Sequence, residues 1–390
     1  MDYKEVIVKR DRVAAIKRRH PWIFSGGIIE HEGCEDGDIV KVMTRKGEFL
    51  ALGYFQNGSI MVRVLSFAEE RIDDNFWSQK IQEAQALRKN INLPSGHTDA
   101  YRLVHGEGDG LSGLIVDIYA DVAVIQCHTI GMHQRREDIA RALDEHLELD
   151  SIYVKSGKTL PRDYAVEQSD YFIKGSKSEI VIKEHDCQFI INVVSGQKTG
   201  FFLDQRENRQ LLKSFAKDKS ILNLFSYSGG FSIYGLKGEA SSVVSVDVSA
   251  KAIELCDRNV ALTEYQTNHE SLKVDVSSYL VEIPKDTYDI IVVDPPAFAK
   301  SVRKKHNAIQ AYKRVNAAAI RKVKSGGLIF SFSCSQVIDS ALFYHTITAA
   351  SIEAGRPCQV LHHLSQGPDH PVSIFHPEGK YLKGLVMKVT

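Results

Sequence analysis

The sequence predicts an α/β protein built on a doubly wound sheet in its C-terminal half. A central α/β domain and a small β-barrel-like domain precede that sheet. Three observations carry this expectation. From about residue 192, near-continuous apolar runs alternate with amphipathic ones, the pattern of parallel strands buried on both faces and joined by helices. Between about 91 and 190, strand-like and helix-like runs mix. The first 65–70 residues alternate short β-patterned runs with Gly-rich or acidic turns. The expected divisions are 1–70, 71–190 and 191–390.

The N-terminal runs are "EVIVK", "DIVKVM", "EFLALGYF" and "SIMVRVL". A helix follows over Asp73–Asn90: acidic residues open it, basic ones close it, and Phe76, Trp77, Ile81, Ala84 and Leu87 recur at helical spacing. In the central segment "LIVDIY" and "VAVIQC" read as adjacent strands, "RREDIARALDEHL" as a helix and "SIYVK" as a further strand. The glycines of "HGEGDGLSG" mark tight turns without phosphate-loop spacing.

The C-terminal alternation runs strand "SILNLFS", helix "GGFSIYGLK", strand "SVVSVDV", helix "SAKAIELCDRNVALT", then "SLKVDV" and "YDIIVVDPP". A basic helix, the strand "GGLIFSFSCS" and the helix "SALFYHTITAASIEAG" come next, and "CQVLHHL" and "KYLKGLVMKV" supply closing strands.

Composition narrows the function classes. Of the 390 residues 43% are hydrophobic and 25% charged, ordinary for a globular chain. No apolar run approaches a membrane span and the N-terminus lacks a signal-peptide core, so a cytoplasmic protein with no membrane partner is expected. Six scattered cysteines without a C-x-x-C pair argue against a zinc site, and no metal is expected. Net charge is zero, but residues 300–324 hold nine Lys/Arg and no acid. Such a stretch can form a local footprint for a polyanion.

Ligands of doubly wound sheets sit beyond the C-terminal ends of the strands, and four features converge there. The loop "NLFSYSGGF" brings Asn223, Phe225, Ser226, Tyr227, Gly229 and Gly230 to that edge, the glycines allowing close backbone approach at a helix start. Asp247 follows the second strand, where a carboxylate can accept from both ribose hydroxyls. Asp275 follows the third, placed for an adenine amino group. Asp294 opens a rigid Asp-Pro-Pro loop after the fourth. A dinucleotide site would explain the ribose acid but not that loop, nor the closing antiparallel pair. An S-adenosylmethionine pocket explains all four.

The chain resembles the RlmI-type family of 23S rRNA cytosine-C5 methyltransferases. The resemblance rests on "RRHPWIFSGGI", "HGEGDGLSGLIVD", "GQKTGFFLDQRENR", "NLFSYSGGF", "DPPAFAKS", "SFSCS" and "DHPVSIFHPEGKYLKGL", which run from residue 18 almost to the C-terminus. It implies an N-terminal PUA RNA-binding domain, a central α/β domain and a C-terminal Rossmann-like methyltransferase domain. It also implies that residues 195–206 pack over the cofactor, which assigns contacts to Phe201, Asp204 and Arg206, and that Cys334 is the nucleophile. The implied partner is RNA, either 23S rRNA or a large-subunit assembly intermediate, and a monomer or a homodimer is expected. The RNA-contacting candidates are Arg18, Arg19, Trp22, Phe298, Lys300, Arg303, Lys304 and Lys305.

The chemistry explains why a thiol is needed where a buried strand runs out. C5 of cytosine is a poor nucleophile until a thiolate adds at C6 and makes C5 enamine-like, one hard step becoming two easier ones. Asp294 is the natural acid or hydrogen-bonding group for the cytosine edge, and the basic stretch could help ionise the thiol. A second cysteine, usual after the proline of this loop in the commoner RNA cytosine-C5 methyltransferases, is absent: the positions read Pro296-Ala297-Phe298. Two other readings stay open, an RNA guanine N-methyltransferase on the same scaffold, in which Cys334 is only packed, and a non-catalytic RNA-binding assembly protein.

Overall fold

A computed structural model describes residues 3–165, 168–299 and 301–390. They group into two compact units. One comprises Met1–Ile182, Ile191–Leu203 and Pro368–Gly379; the other comprises Lys183–Ile190, Asp204–Gly367 and Lys380–Thr390. Among the described residues no helix is long and apolar enough to cross a membrane.

The first unit holds two sheets. The N-terminal one is six-stranded, in the order Trp22–Phe24, Ile60–Ser66, Phe49–Phe55, Ile39–Thr44, Lys4–Val8 and Ile28–Glu30. Alternation sends Val6, Val8, Val40, Val42, Val62 and Val64 into one core. The four long strands coincide with the β-patterned runs of the sequence. The two short ones, of three residues each, are too brief to carry a period.

The linking helix is Asp74–Asn90, capped by the Asp73 carboxylate, which accepts from the Phe76 N–H at 3.2 Å. Phe76, Trp77, Ile81 and Ala84 are buried as the spacing predicts, but Leu87 is exposed and Arg88 takes the interior position. The reason is polar. Arg88 donates to the Arg102 carbonyl at 2.8 Å and to the Asp369 carbonyl at 2.8 Å, and pairs with Asp109. A fully buried guanidinium is tolerated because its donors are satisfied this way.

The second sheet of this unit is five-stranded, ordered Tyr171–Lys174, Ser151–Val154, Val122–Cys127, Leu114–Tyr119 and Ala100–His105. The expected "LIVDIY" and "VAVIQC" strands pair antiparallel. The strand Ala100–His105 is not evident from the sequence because Arg102 interrupts its apolar run. In the fold Arg102 forms a bidentate pair with buried Asp117 (2.8 and 2.9 Å), and Asp117 also accepts from Thr199 Oγ1 at 2.5 Å.

The second unit is organised by one seven-stranded sheet. Its strands are β1 (Ser220–Leu224), β2 (Ser242–Asp247), β3 (His269–Lys273), β4 (Tyr288–Val293), β5 (Val323–Ser333), β6 (Cys358–Leu364) and β7 (Lys383–Val389). The spatial order is β3-β2-β1-β4-β5-β7-β6. The first five are parallel, and β7 runs antiparallel between β5 and β6. Helices α1 (Arg206–Phe215), α2 (Gly230–Lys237), α3 (Ala250–Val260), α4 (Val276–Glu282), α5 (Lys305–Lys322) and α6 (Ser340–Ala354) accompany it. The continuous apolar strands of the sequence are the central ones. Ile221, Leu222, Ile291 and Val293 are fully buried, each such side chain contributing about 1.5–3 kcal/mol. The strand order reverses at β1 and β4, and that switch point is where a doubly wound sheet opens a ligand crevice.

Candidate active site

The loop leaving β1 is held in an uncommon conformation. Phe225 (φ 59°), Tyr227 (φ 45°) and Gly229 (φ 78°) all lie in the left-handed region, which costs on the order of 1–3 kcal/mol at a non-glycine position. Hydrogen bonds over-determine it: Ser226 N–H donates to the Val246 carbonyl (3.1 Å), Tyr227 N–H to Asp247 Oδ2 (3.0 Å) and Gly229 N–H to the Ser226 carbonyl (2.9 Å). Gly229 is required twice over, since a Cβ there would also sit 2.6 Å from Cys256 Sγ. Gly230 opens α2. Within the loop the Ser226 hydroxyl is buried with no hydrogen-bond partner. Such a group costs roughly 1–3 kcal/mol unless a ligand satisfies it, so the loop fits a polar cofactor.

Asn223 does not face that crevice. Its amide donates to Ser232 Oγ at 2.8 Å, Ser232 meets Ser245 Oγ (2.6 Å), and Ser245 in turn meets His269 Nε2 (2.8 Å) inside the unit. Asp247, at the end of β2, ties the loop to its own strand, accepting from Tyr227 N–H through Oδ2 and from Ser249 N–H (2.9 Å) through Oδ1. Asp275 caps α4, accepting from the Ser278 N–H at 2.9 Å. Both carboxylates thus have structural duties at the edge where the sequence expects a nucleoside.

Asp294 and Cys334 directly follow β4 and β5, which are parallel neighbours in register Val293 to Ser331. Asp294 accepts from Gln205 Nε2 at 2.9 Å, and Gln205 is in turn held by Asn208 Nδ2 at 2.6 Å. Phe298 packs edge-on against Tyr312 of α5, ring centroids 4.7 Å apart, which is the core-packing use of this aromatic. The Tyr312 hydroxyl is buried near Ser333, Cys334 and Asp294 without a hydrogen bond of good geometry, and burial pushes its pKa up to about 12.

Cys334, like Cys34 and Cys358, is less buried than the remaining three thiols. Cys127, Cys187 and Cys256 are buried and burial pushes each up to about 12, whereas Cys334 is partly exposed. Among the described residues, β7 places a cation at this strand end. Lys383 stands opposite Ser333 in the β5–β7 register, and its ammonium donates to the Ser335 carbonyl at 2.6 Å.

Asp204 is buried and accepts from the Tyr381 hydroxyl at 2.7 Å. Arg206 is buried at the start of α1 with its Nε 3.0 Å from Glu207 Oε1. Phe201 belongs to the first unit, where its N–H donates to the Tyr119 hydroxyl at 3.1 Å.

In the first unit Arg18 and Arg19 are exposed, Arg19 lying over the Phe67 ring at 5.6 Å. Trp22 is used internally: its indole N–H donates to Glu107 at 2.8 Å and its ring meets His376 edge-on at 4.2 Å. In the second unit Arg303 and Lys304 are exposed and Lys305 is half-buried, while Lys300 lies outside the described residues.

Comparison with known proteins matches residues 6–67 to a PUA-like domain and residues 102–371 to the S-adenosylmethionine-dependent methyltransferases. Over 393 aligned residues the chain is 35% identical to Ribosomal RNA large subunit methyltransferase I of Alteromonas mediterranea, covering 99% of both chains. It is 38% identical to the protein of the same name from Aeromonas salmonicida, covering 98% of both. The chain belongs to this methyltransferase family. The fold matches the SMU.776 crystal structure, a complex with SAH, at a TM-score of 0.85 and 22% identity, over 99% of this chain and 100% of that one.

For an S-adenosylmethionine-dependent methyltransferase of this family, the β1 loop with its orphaned Ser226 hydroxyl, Asp247 and Asp275 could hold the cofactor. Sequence reasoning missed Gln205 and Lys383. Gln205 sits inside "GQKTGFFLDQRENR", where spacing alone gives it no role. Lys383 sits in a stretch whose pattern shows only a closing strand, though a lysine within an apolar strand was the available signal.

Proposed function

We propose that this methyltransferase forms 5-methylcytosine in large-subunit ribosomal RNA through a covalent Cys334–C6 adduct. The observation that carries the reading is the position of Cys334, partly exposed at the end of β5 beside the Asp294 strand end. The names of the curated relatives support the substrate class, and action in the cytoplasm follows from it. The PUA-like segment, taken as 1–70, serves RNA capture; the central part, 71–190, links it to the methyltransferase part, 191–390.

Bound S-adenosylmethionine supplies an electrophilic methyl group. The β1 loop, Asp247 and Asp275 would hold it at the strand ends. The Cys334 thiolate would add to C6 of the cytosine, forming the S–C6 bond and moving the C5–C6 π pair onto C5, which would accept the methyl as its bond to the sulfonium sulfur breaks and S-adenosylhomocysteine leaves. Asp294 accepts or donates at the N3/N4 edge and favours addition. Loss of the C5 proton to a base and departure of the thiolate restore the ring. Arg18, Arg19, Arg303 and Lys304 contribute phosphate contacts.

Mass mapping of 23S rRNA treated with the protein and isotopically labelled S-adenosylmethionine tests this reading. The expected product carries the labelled methyl on cytosine C5. A labelled guanine would replace it with an amine or ring-nitrogen methylation, in which Cys334 has no chemical role.

A further inference from the structure

We propose that Lys383 is the activating partner of Cys334: its buried ammonium, fixed on the Ser335 carbonyl and opposite Ser333, stabilises the Cys334 thiolate. The purpose of that thiolate rests on the nucleophile reading; the charge relationship does not.

The geometry brackets the thiol. β5 ends at Ser333, whose register partner on β7 is Lys383, and the ammonium reaches past Cys334 to the carbonyl of Ser335 at 2.6 Å. Ser335 is itself pinned, its hydroxyl donating to the Ala299 carbonyl at 2.7 Å. The lysine is 6% exposed, so solvent and salt screen its charge little, in contrast to exposed Arg303 and Lys304. A lysine is seldom buried without an ionic reason.

The groups facing this ammonium are Cys334, Asp339 at the start of α6, and Lys380 on its own approach to β7. Burial lowers its pKa to about 8, while Cys334 and then Asp339 favour the charged form and Lys380 opposes it. The coupling is reciprocal: a thiolate that favours the ammonium is favoured by it to the same extent. Tyr312 of α5 and Asp294 after β4 also lie at this strand end: Tyr312 carries no charge at neutral pH, its pKa pushed up to about 12, and the Asp294 carboxylate opposes a thiolate that the ammonium favours. Positive charge beside a cysteine lowers its pKa and raises the thiolate fraction at neutral pH.

The test is the pH profile of Cys334 alkylation by iodoacetamide in the full chain without RNA or S-adenosylmethionine, read by peptide mass spectrometry. In the unaltered protein the midpoint is expected below the ordinary thiol value of about 8.5; a midpoint at or above that overturns the proposal by itself. Lys383→Met keeps the aliphatic stem and removes the charge. It should raise the midpoint by about one unit and slow alkylation at pH 7 about tenfold, while Lys383→Arg should hold the midpoint near its original place. Slow labelling of Cys127, Cys187 and Cys256 reports an intact fold in each variant. An unchanged midpoint in folded Lys383→Met would reduce Lys383 to a strand-end cap. Because no methyl transfer is read, a failure here is distinct from a failure of the cytosine reading.

Discussion

The side-chain amide of Gln205 donates to Asp294 Oδ2 at 2.9 Å, with Asn208 holding Gln205 in turn. A neutral donor orients the carboxylate without adding a charge beside it. Gln205→Leu preserves volume and removes the donor. Losing one hydrogen bond to a charged group, about 1.5–3 kcal/mol, should lower kcat roughly 10–100-fold at saturating S-adenosylmethionine. Steady-state methylation assays check this, and an unchanged kcat would detach Asp294 from the reaction.

Asp247→Ala should weaken S-adenosylmethionine binding by at least about tenfold, since one charged hydrogen bond is worth about 1.5–3 kcal/mol. The effect has two sources, the ribose acceptor and the released N–H groups of Tyr227 and Ser249. Calorimetric titration measures it. Unaltered affinity would mean the cofactor lies at other strand ends.

Much of the fold was legible because its physics is local. The central strands β1, β2, β4 and β5 read directly, since burial on both faces keeps their runs mostly apolar, with Asn223, Ser245 and Ser331 as buried polar exceptions. Asp73 was legible as the start of its helix because a cap acts within three residues. Leu87 departs from its expected burial because helical spacing does not reveal that Arg88 finds partners at Arg102, Asp109 and Asp369. The same blindness hid Lys383 and Gln205, whose partners lie 48 and 89 residues away in sequence. The interleaving of segments 183–190 and 368–379 between the two units was equally invisible, because no composition shift marks either crossing.

His133 should make the first unit acid-sensitive. Burial, with Arg136 adding, pushes its pKa down to about 4 from an ordinary 6.5, and the ring lies 3.2 Å from the Tyr164 hydroxyl. The folded state therefore prefers the neutral ring. This contribution is complete above pH 6.5 and is lost as pH falls toward 4, at up to about 1.4 kcal/mol per pH unit. Urea midpoints at pH 7 and pH 5 should diverge less in His133→Gln than in the unaltered protein; equal divergence would contradict it.

RNA affinity should fall steeply with salt. Replacing Arg303, Lys304 and Lys305 together by alanine should flatten the log–log slope by about 0.7–0.9 for each phosphate no longer neutralised. Filter binding across a salt series reads the slope, and an unaltered one would leave that run a solvated surface.

The covalent step is tested most directly with RNA carrying 5-fluorocytosine at the target, incubated with the protein and S-adenosylmethionine. Fluorine at C5 cannot leave as a proton does, so the methylated adduct should stall and be recovered as a protein–RNA conjugate at the peptide containing Cys334. Cys334→Ala should form no conjugate and transfer no methyl group, yet still bind S-adenosylmethionine. Methylation of unmodified rRNA by Cys334→Ala would contradict the account.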